Sequence, residues 1–132
     1  MKRQIRVMKG QPRPPRITVA ILLPQRVWLG SIHLARDLLQ VAGTLAARSH
    51  DVAASALFEV RFLGLDTRPV SGFGGIPVHA ETTIADRKRY DVVIVPPQFA
   101  ATAESNDEDG KFSSWLVRQH RNGAFVLGLG SA

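Results

Sequence analysis

The segment ITVAILLP, residues 17–24, decides the fold class of this chain. Its residues are aliphatic or β-branched up to Pro24, and Thr18 is the only polar one. A continuous apolar run of this kind is typical of a strand buried on both faces, as in a parallel sheet. DVVIV at 91–95, after its initial Asp91, and AFVL at 124–127 are similarly apolar. In FEVRF at 58–62 apolar and charged residues alternate, which predicts a half-buried strand.

Segments with helical periodicity separate these predicted strands. Apolar residues recur at steps of three and four over residues 31–49, which predicts a helix with Ser31 as its N-cap. The residues predicted to face the core are Ile32, Ala35, Leu38, Leu39, Ala42, Leu45 and Ala46. A second helix is predicted over 112–120, and the polar stretch ESNDEDG at 104–110 is predicted to be a solvated loop. Strands that alternate with helices indicate a mostly parallel sheet covered on both faces.

The net charge of +6 on the 132 residues lies at the amino-terminal end. The basic residues of the first 16 positions are Lys2, Arg3, Arg6, Lys9, Arg13 and Arg16, without an accompanying acid. In the remainder, basic and acidic residues balance. We predict a disordered basic tail over 1–16 and one α/β domain over 17–132. Such an arm can contact phosphate backbones through counterion release.

Composition excludes several classes of site. The chain has no cysteine, so it forms no disulfide, thiolate metal site or cysteine nucleophile, and a cytoplasmic location is expected. No apolar run reaches about 18 residues, so no membrane span and no membrane partner are predicted. The histidines, at positions 33, 50, 79 and 120, follow no metal-ligand spacing. We therefore predict neither a metal nor another cofactor.

The turn GLGSA at 128–132 is the strongest candidate for a functional site. Ligands of parallel sheets bind beyond the carboxyl ends of the strands, which here are residues 24–30, 96–99 and 128–132. A buried strand followed by small residues is similar to the start of a nucleophile elbow. The nucleophile position is Gly130, which has no side chain. Ser131 is the nearest hydroxyl, but no histidine has a spacing that pairs with it.

Five segments, taken in order, resemble one known family. They are ITVAILLP at 17–24, the pattern S-x-x-x-x-x-D-L-L at 31–39, FEVRFLGLDTRPV at 58–70 leading into SGFGGIPV, DVVIVPP at 91–97 and WLVRQHRNGAFVLGLGSA at 115–132. Together they resemble the N-terminal sensor domain of GlxA-type, AraC-family transcriptional regulators. Those domains belong to the ThiJ/PfpI, or class I glutamine amidotransferase-like, superfamily.

The resemblance implies a flavodoxin-like, three-layer α/β/α fold that is incomplete at the carboxyl terminus, because relatives continue beyond the elbow into a helix-turn-helix domain. Enzymes of the superfamily present a cysteine where this chain has Gly130, and the family's acidic helix residue matches Asp37. We therefore expect a non-catalytic, ligand-sensing domain of a transcriptional regulator that does not itself read DNA sequence. A small polar metabolite is the expected ligand. Its expected binding residues are Asp37, Gln98, Gly128, Gly130 and Ser131.

Two alternatives stay open. One is an enzyme of the same superfamily, namely an amidase, a glyoxalase-like hydratase or a deglycase, with a nucleophile other than cysteine. The other is an interaction module that self-associates, or pairs with a full-length homologous regulator, through an uncovered sheet edge and uncovered helix faces. Unpaired edges and exposed apolar surface of this kind favour association with another chain.

Overall fold

The computed structural model describes residues 16–50, 57–99 and 105–130. In chain order the elements are β1 (Ile17–Leu22), α1 (Leu29–His50), β2 (Phe58–Gly64), β3 (Val70–Ser71), β4 (Pro77–Val78), β5 (Thr82–Thr83), β6 (Val92–Val95), α2 (Ser105–Arg121) and β7 (Phe125–Gly128). Among these residues, the main sheet has five strands in the order β5-β2-β1-β6-β7, and every pair in it is parallel. β3 and β4 form a separate antiparallel hairpin. The predicted flavodoxin-like α/β fold is thus confirmed.

The central strand β1 is buried on both faces, as its continuous apolar run predicts. Val19 and Ile21 pack on one face with Ile32 of α1. Ala20 and Leu22 pack on the opposite face in the layer that contains Trp115 of α2. The connection β1–α1–β2 and the connection β6–α2–β7 run toward opposite sides of the sheet. Because such crossovers are right-handed, α1 and α2 cover opposite faces.

Helix α1 begins earlier than predicted and buries a narrower face. Ser31 lies inside its first turn, where the hydroxyl donates to the backbone oxygen of Trp28 over 2.6 Å, so the prediction that Ser31 is the N-cap was wrong. Ile32 is buried, whereas Leu38 and Leu45 are 59% and 57% exposed. The apolar residues of α1 form two neighbouring stripes, and only one of them meets the sheet.

Helix α2 is longer than predicted, and the interpretation of 104–110 as a solvated loop was wrong from residue 105 onward. Acidic residues are favoured near the amino-terminal end of a helix, because they complement its dipole, so an acidic polar stretch is compatible with a helix start. α2 ends at Arg121, and Gly123 follows with a left-handed φ of 97°. In the part of the chain that the structure describes, no helix combines the length and the apolar character needed to cross a membrane.

Candidate functional site

The carboxyl ends of β1, β6 and β7 meet at one edge of the sheet, which we call the rim (residues 24–30, 96–99 and 128–130). An antiparallel bridge joins Val27 to Gln98. The backbone N–H of Trp28 donates to the oxygen of Pro97 over 3.2 Å, and that of Phe99 donates to the oxygen of Arg26 over 3.1 Å. These bonds hold Gln98 beside the loop that follows β1.

Gly130 lies in the turn that directly follows β7. The preceding Leu129 donates its N–H to the oxygen of Val95 over 2.9 Å, which keeps the turn against β6. Gly130 itself has a φ of 62°, a left-handed conformation that glycine adopts without strain. A β-carbon added there would lie 3.7 Å from Cβ of Pro97, an ordinary contact. The turn therefore has room for a side chain and carries none. Ser131 lies outside the described residues.

The structure brings Gln98, Gly128 and Gly130 to the rim, but it leaves Asp37 elsewhere. Asp37 is exposed and lies more than two turns into α1, about 12 Å along the helix axis from the rim end. Its position on the helical wheel is nearly opposite that of Leu39, which packs on the core. Within the described ranges, no hydrogen bond or ion pair engages the Asp37 carboxylate.

Three exposed aromatic rings lie side by side at the rim, and we call Trp28, Phe73 and Phe99 the aromatic face. The ring centroids of Trp28 and Phe73 are 6.2 Å apart and those of Phe73 and Phe99 are 4.6 Å apart, both pairs stacked. Each ring belongs to a residue that is 44–50% exposed. No sequence pattern indicated this face, because its rings come from three separate loops and Phe73 belongs to the β3–β4 hairpin.

Arg26 joins the loop after β1 to this aromatic face. Its guanidinium carbon lies 5.3 Å from the ring centroid of Phe99, within reach of a cation–π interaction. Its φ of 61° is the left-handed conformation that non-glycine residues rarely adopt. The N–H of Arg26 donates to the oxygen of Ser71 over 2.8 Å, and its own oxygen accepts from Phe99. Backbone strain maintained by its surroundings in this way is typical of functional sites.

A cavity of about 210 Å³ opens on the α2 side of the rim. Its walls are mainly apolar, with Leu22, Phe112 and Leu116 among them. The polar side chains that line it are Gln98, Asp109 and Ser113. An apolar concavity with a few polar groups is the usual form of a small-molecule site, and this one suits a ligand of few atoms.

The main ion-pair cluster lies away from the rim. Partial burial alone raises the pKa of the Glu81 carboxyl. Hydrogen bonds from Arg36 and from the backbone N–H of Phe62, together with the charges of Arg36 and Arg61, outweigh that effect and lower the pKa. A hydrogen bond from Lys88 is the main cause of the lowered pKa of Glu59. Among the described residues, no group of His, Asp and Glu is arranged to hold a metal ion.

No protein-family model and no curated protein matches the chain, whereas solved structures share its fold. A protein from Vibrio parahaemolyticus described as a transcriptional regulator has a TM-score of 0.67 at 18% identity, over 86% of this chain and 56% of its own. An AraC family transcriptional regulator from Pseudomonas putida has a TM-score of 0.63 at 19% identity, over 85% and 63%. A ThiJ/PfpI family protein from Pseudomonas syringae has a TM-score of 0.55 at 11% identity, over 97% and 48%.

The structural neighbours are thus ThiJ/PfpI and DJ-1 superfamily proteins, AraC-family regulators among them. This agrees with the resemblance found in the sequence, and at these identities it establishes the fold. The chain spans between a half and two thirds of the length of the Vibrio and Pseudomonas putida structures.

Proposed function

We propose that this chain is a non-catalytic, ligand-sensing domain of a transcriptional regulator, and that it binds a small polar metabolite at the rim. Gly130 is the observation that carries the proposal. It follows β7 in a left-handed conformation beside Pro97, and it has no side chain at the position where the expected elbow would carry a nucleophile. A site of this kind can hold a ligand, but position 130 supplies no side-chain atom that could attack one.

The lining of the rim cavity favours a nitrogen-bearing ligand. The carboxylate of Asp109 and the side-chain oxygen of Gln98 both accept hydrogen bonds, and both line the same cavity of about 210 Å³. An ammonium or amide N–H group would satisfy these acceptors, while Leu22 and Phe112 would contact the apolar part of the ligand. A few polar groups within a mainly apolar lining fix the orientation of a small ligand.

Thermal unfolding with the common L-amino acids and their amides as probes tests this site. We expect at least one probe to raise the Tm in a concentration-dependent way, because a ligand that binds only the folded state stabilises it. The shift should be lost in Gln98→Ala and retained in Gln40→Ala, an exposed glutamine on α1. The site would be rejected if no probe raised the Tm, or if Gln98→Ala kept the full shift.

A separate assay tests the absence of catalysis. With p-nitrophenyl acetate and with methylglyoxal as substrates, we expect no turnover above the buffer rate, because position 130 carries no nucleophile. Turnover that disappears in Ser131→Ala would contradict this expectation and favour the enzymatic alternative among amidases, hydratases and deglycases.

The second candidate function, an interaction module, is favoured by an uncovered apolar stripe on α1. Leu34, Leu38, Val41 and Leu45 recur at steps of four, three and four, and each is 55–60% exposed. This spacing is the one that coiled-coil helices use to pack against each other. We propose a second copy of this chain as the occupant, since two identical stripes can cover each other around a twofold axis.

A further inference from the structure

An open cleft rich in arginine lies on the α2 side of the sheet, and we call it the basic cleft. Its volume is about 480 Å³, and it lies between residues 84–89 and the last turns of α2. These two segments lead into β6 and β7, so the basic cleft lies near the edge where those strands begin, opposite the rim. It shares no lining residue with the rim cavity and is therefore a separate site.

Arginines reach the basic cleft from both sides. Arg87 and Arg89 line one side, and Arg118 of α2 lines the other. Asp86 is the only acidic residue of the lining, and its carboxylate accepts a hydrogen bond from the Thr82 hydroxyl over 3.2 Å. The lining therefore has a net positive charge, and a cleft lined mainly by one sign of charge concentrates ligands of the opposite sign.

The arginines of the basic cleft are left without anionic partners. Arg87, Arg89 and Arg118 form no ion pair with any described residue. Lys88, which lies between two of them in the chain, does form one, because its ammonium group donates to Glu59 over 2.9 Å. Pairing thus alternates along residues 87–89, and the two arginines without a partner are the ones that line the cleft.

A buried glutamine holds the two sides of the basic cleft together. The side-chain oxygen of Gln119 accepts a hydrogen bond from the backbone N–H of Tyr90 over 3.0 Å, and its nitrogen donates to the oxygen of Lys88 over 3.0 Å. Gln119 is only 6% exposed. The backbone that carries Arg87 and Arg89 is therefore fixed against α2 before any ligand arrives.

The end of α2 is compatible with an anion in the basic cleft. The last carbonyl groups of a helix carry partial negative charge, which accounts for Arg118 but not for Arg87 or Arg89, because residues 87–89 belong to no helix. These carbonyl groups are themselves engaged: the oxygen of Arg118 accepts from the N–H of Asn122, and that of Gln119 from the N–H groups of Asn122 and Ala124. The arginines therefore dominate the electrostatic field of the cleft.

We propose that the basic cleft binds a small molecule that carries a diphosphate group, as a second ligand site besides the rim. Guanidinium groups donate pairs of hydrogen bonds that match the oxygen atoms of a phosphate group. A diphosphate presents two such groups, and arginines on both sides of the cleft can each engage one. Because the arginines converge on one cavity of small-molecule size, a small ligand fits better than the extended backbone of a nucleic acid.

Isothermal titration calorimetry of the full chain with inorganic pyrophosphate tests the proposal. The test variant is Arg89→Gln with Arg118→Gln, and the matched control is Arg48→Gln with Lys111→Gln, which removes the same charge from exposed positions outside the cleft. We expect the Kd for pyrophosphate to rise about tenfold or more in the test variant and to stay unchanged in the control. All three proteins keep residues 1–16, so any binding to that basic segment is common to them.

Further measurements separate charge, ligand size and folding. Arg89→Lys with Arg118→Lys keeps both charges and should bind pyrophosphate more tightly than the glutamine variant. Inorganic orthophosphate, which has a single phosphate group, should bind the unmodified chain more weakly than pyrophosphate does. Far-ultraviolet circular dichroism checks that each variant is folded.

Several outcomes would overturn the proposal. They are the absence of pyrophosphate binding, an equal rise in Kd in the test variant and the control, and a lysine variant that binds no better than the glutamine variant. Equal affinity for orthophosphate and pyrophosphate would rule out a diphosphate site. Binding of a DNA duplex that is lost in the test variant, without binding of pyrophosphate, would show that the cleft serves a polymer instead.

Discussion

Gly72 of the β3–β4 hairpin lies against Leu29 at the start of α1, so close that a β-carbon at position 72 would be 2.6 Å from Cδ2 of Leu29. The contact docks the hairpin onto the helix, and the next residue, Phe73, thereby reaches Trp28 and Phe99. The N–H of Phe73 also donates to the oxygen of Val27 over 2.9 Å. A glycine without a role of its own in binding thus positions the centre of the aromatic face.

Gly72→Ala should lower the free energy of unfolding by about 1–3 kcal/mol, because the added methyl group overfills a packed contact. Urea denaturation measures the change. Gly110→Ala is the matched control: nothing lies within 4 Å of the added β-carbon, and alanine favours the interior of α2 by about 1 kcal/mol. The two substitutions should therefore change the free energy of unfolding in opposite directions. Equal destabilisation by both would contradict the close contact between Gly72 and Leu29. In a chain that carries Leu29→Ala, Gly72→Ala should lower the free energy of unfolding by less than it does in the unmodified chain.

Gln119→Leu should destabilise the fold by about 2 kcal/mol or more, because it removes the partners of a buried N–H group at Tyr90 and of the Lys88 carbonyl. Gln40→Leu, on the exposed side of α1, should change stability by less than about 0.5 kcal/mol. Chemical denaturation of both variants measures the difference. Similar losses of stability in the two variants would mean that the hydrogen bonds made by Gln119 contribute little to the free energy of unfolding.

Glu81 should make stability depend on pH in the acid range. Its pKa is lower in the folded state than its ordinary value of 4.5, so its contribution is present above that value and is lost as pH falls through the folded pKa. At neutral pH, Glu81→Gln should cost about 1 kcal/mol, a figure reduced by solvent screening of this partly exposed group. The free energies of unfolding of the unmodified chain and of Glu81→Gln should converge as the pH is lowered from 6 to 3. A constant difference across that range would contradict the assignment.

Leu38→Glu with Leu45→Glu tests self-association through the α1 stripe. Both side chains are more than half exposed, so the substitutions should leave the fold intact while they place charges in the proposed contact between copies. Sedimentation velocity should show a dimer for the unmodified chain and a monomer for the variant. Ile76→Glu with Val117→Glu, which charges two exposed apolar residues outside the stripe, should leave the dimer unchanged. An unmodified chain that stays monomeric at all concentrations would reject the contact.

Four strands of the main sheet, β1, β2, β6 and β7, and their parallel arrangement could be predicted from the sequence. Strands buried on both faces require continuous apolar runs, and residues 17–23 and 92–95 are such runs. The apolar run at 124–127 also forms a strand, β7, but the prediction that it is buried was wrong, because β7 lies at the sheet edge and is mostly exposed. The alternation at 58–62 indicated β2 for the same kind of reason, because a side chain's environment repeats every second residue along a strand. The assignment of Gly130 as the elbow position stays a prediction, and the structure places this residue two positions after the end of β7.

Tertiary packing was needed to show which apolar stripe of α1 is buried, that Asp37 is exposed away from the rim, and which aromatic rings meet. The periodicity of a helix reports its own amphipathic pattern, but the width of the covered face depends on how the neighbouring sheet lies across it. Leu38 and Leu45 therefore satisfied the sequence pattern and are nevertheless exposed. Trp28, Phe73 and Phe99 come from three separate loops, and a sequence carries no measure of the distance between loops until the sheet sets it.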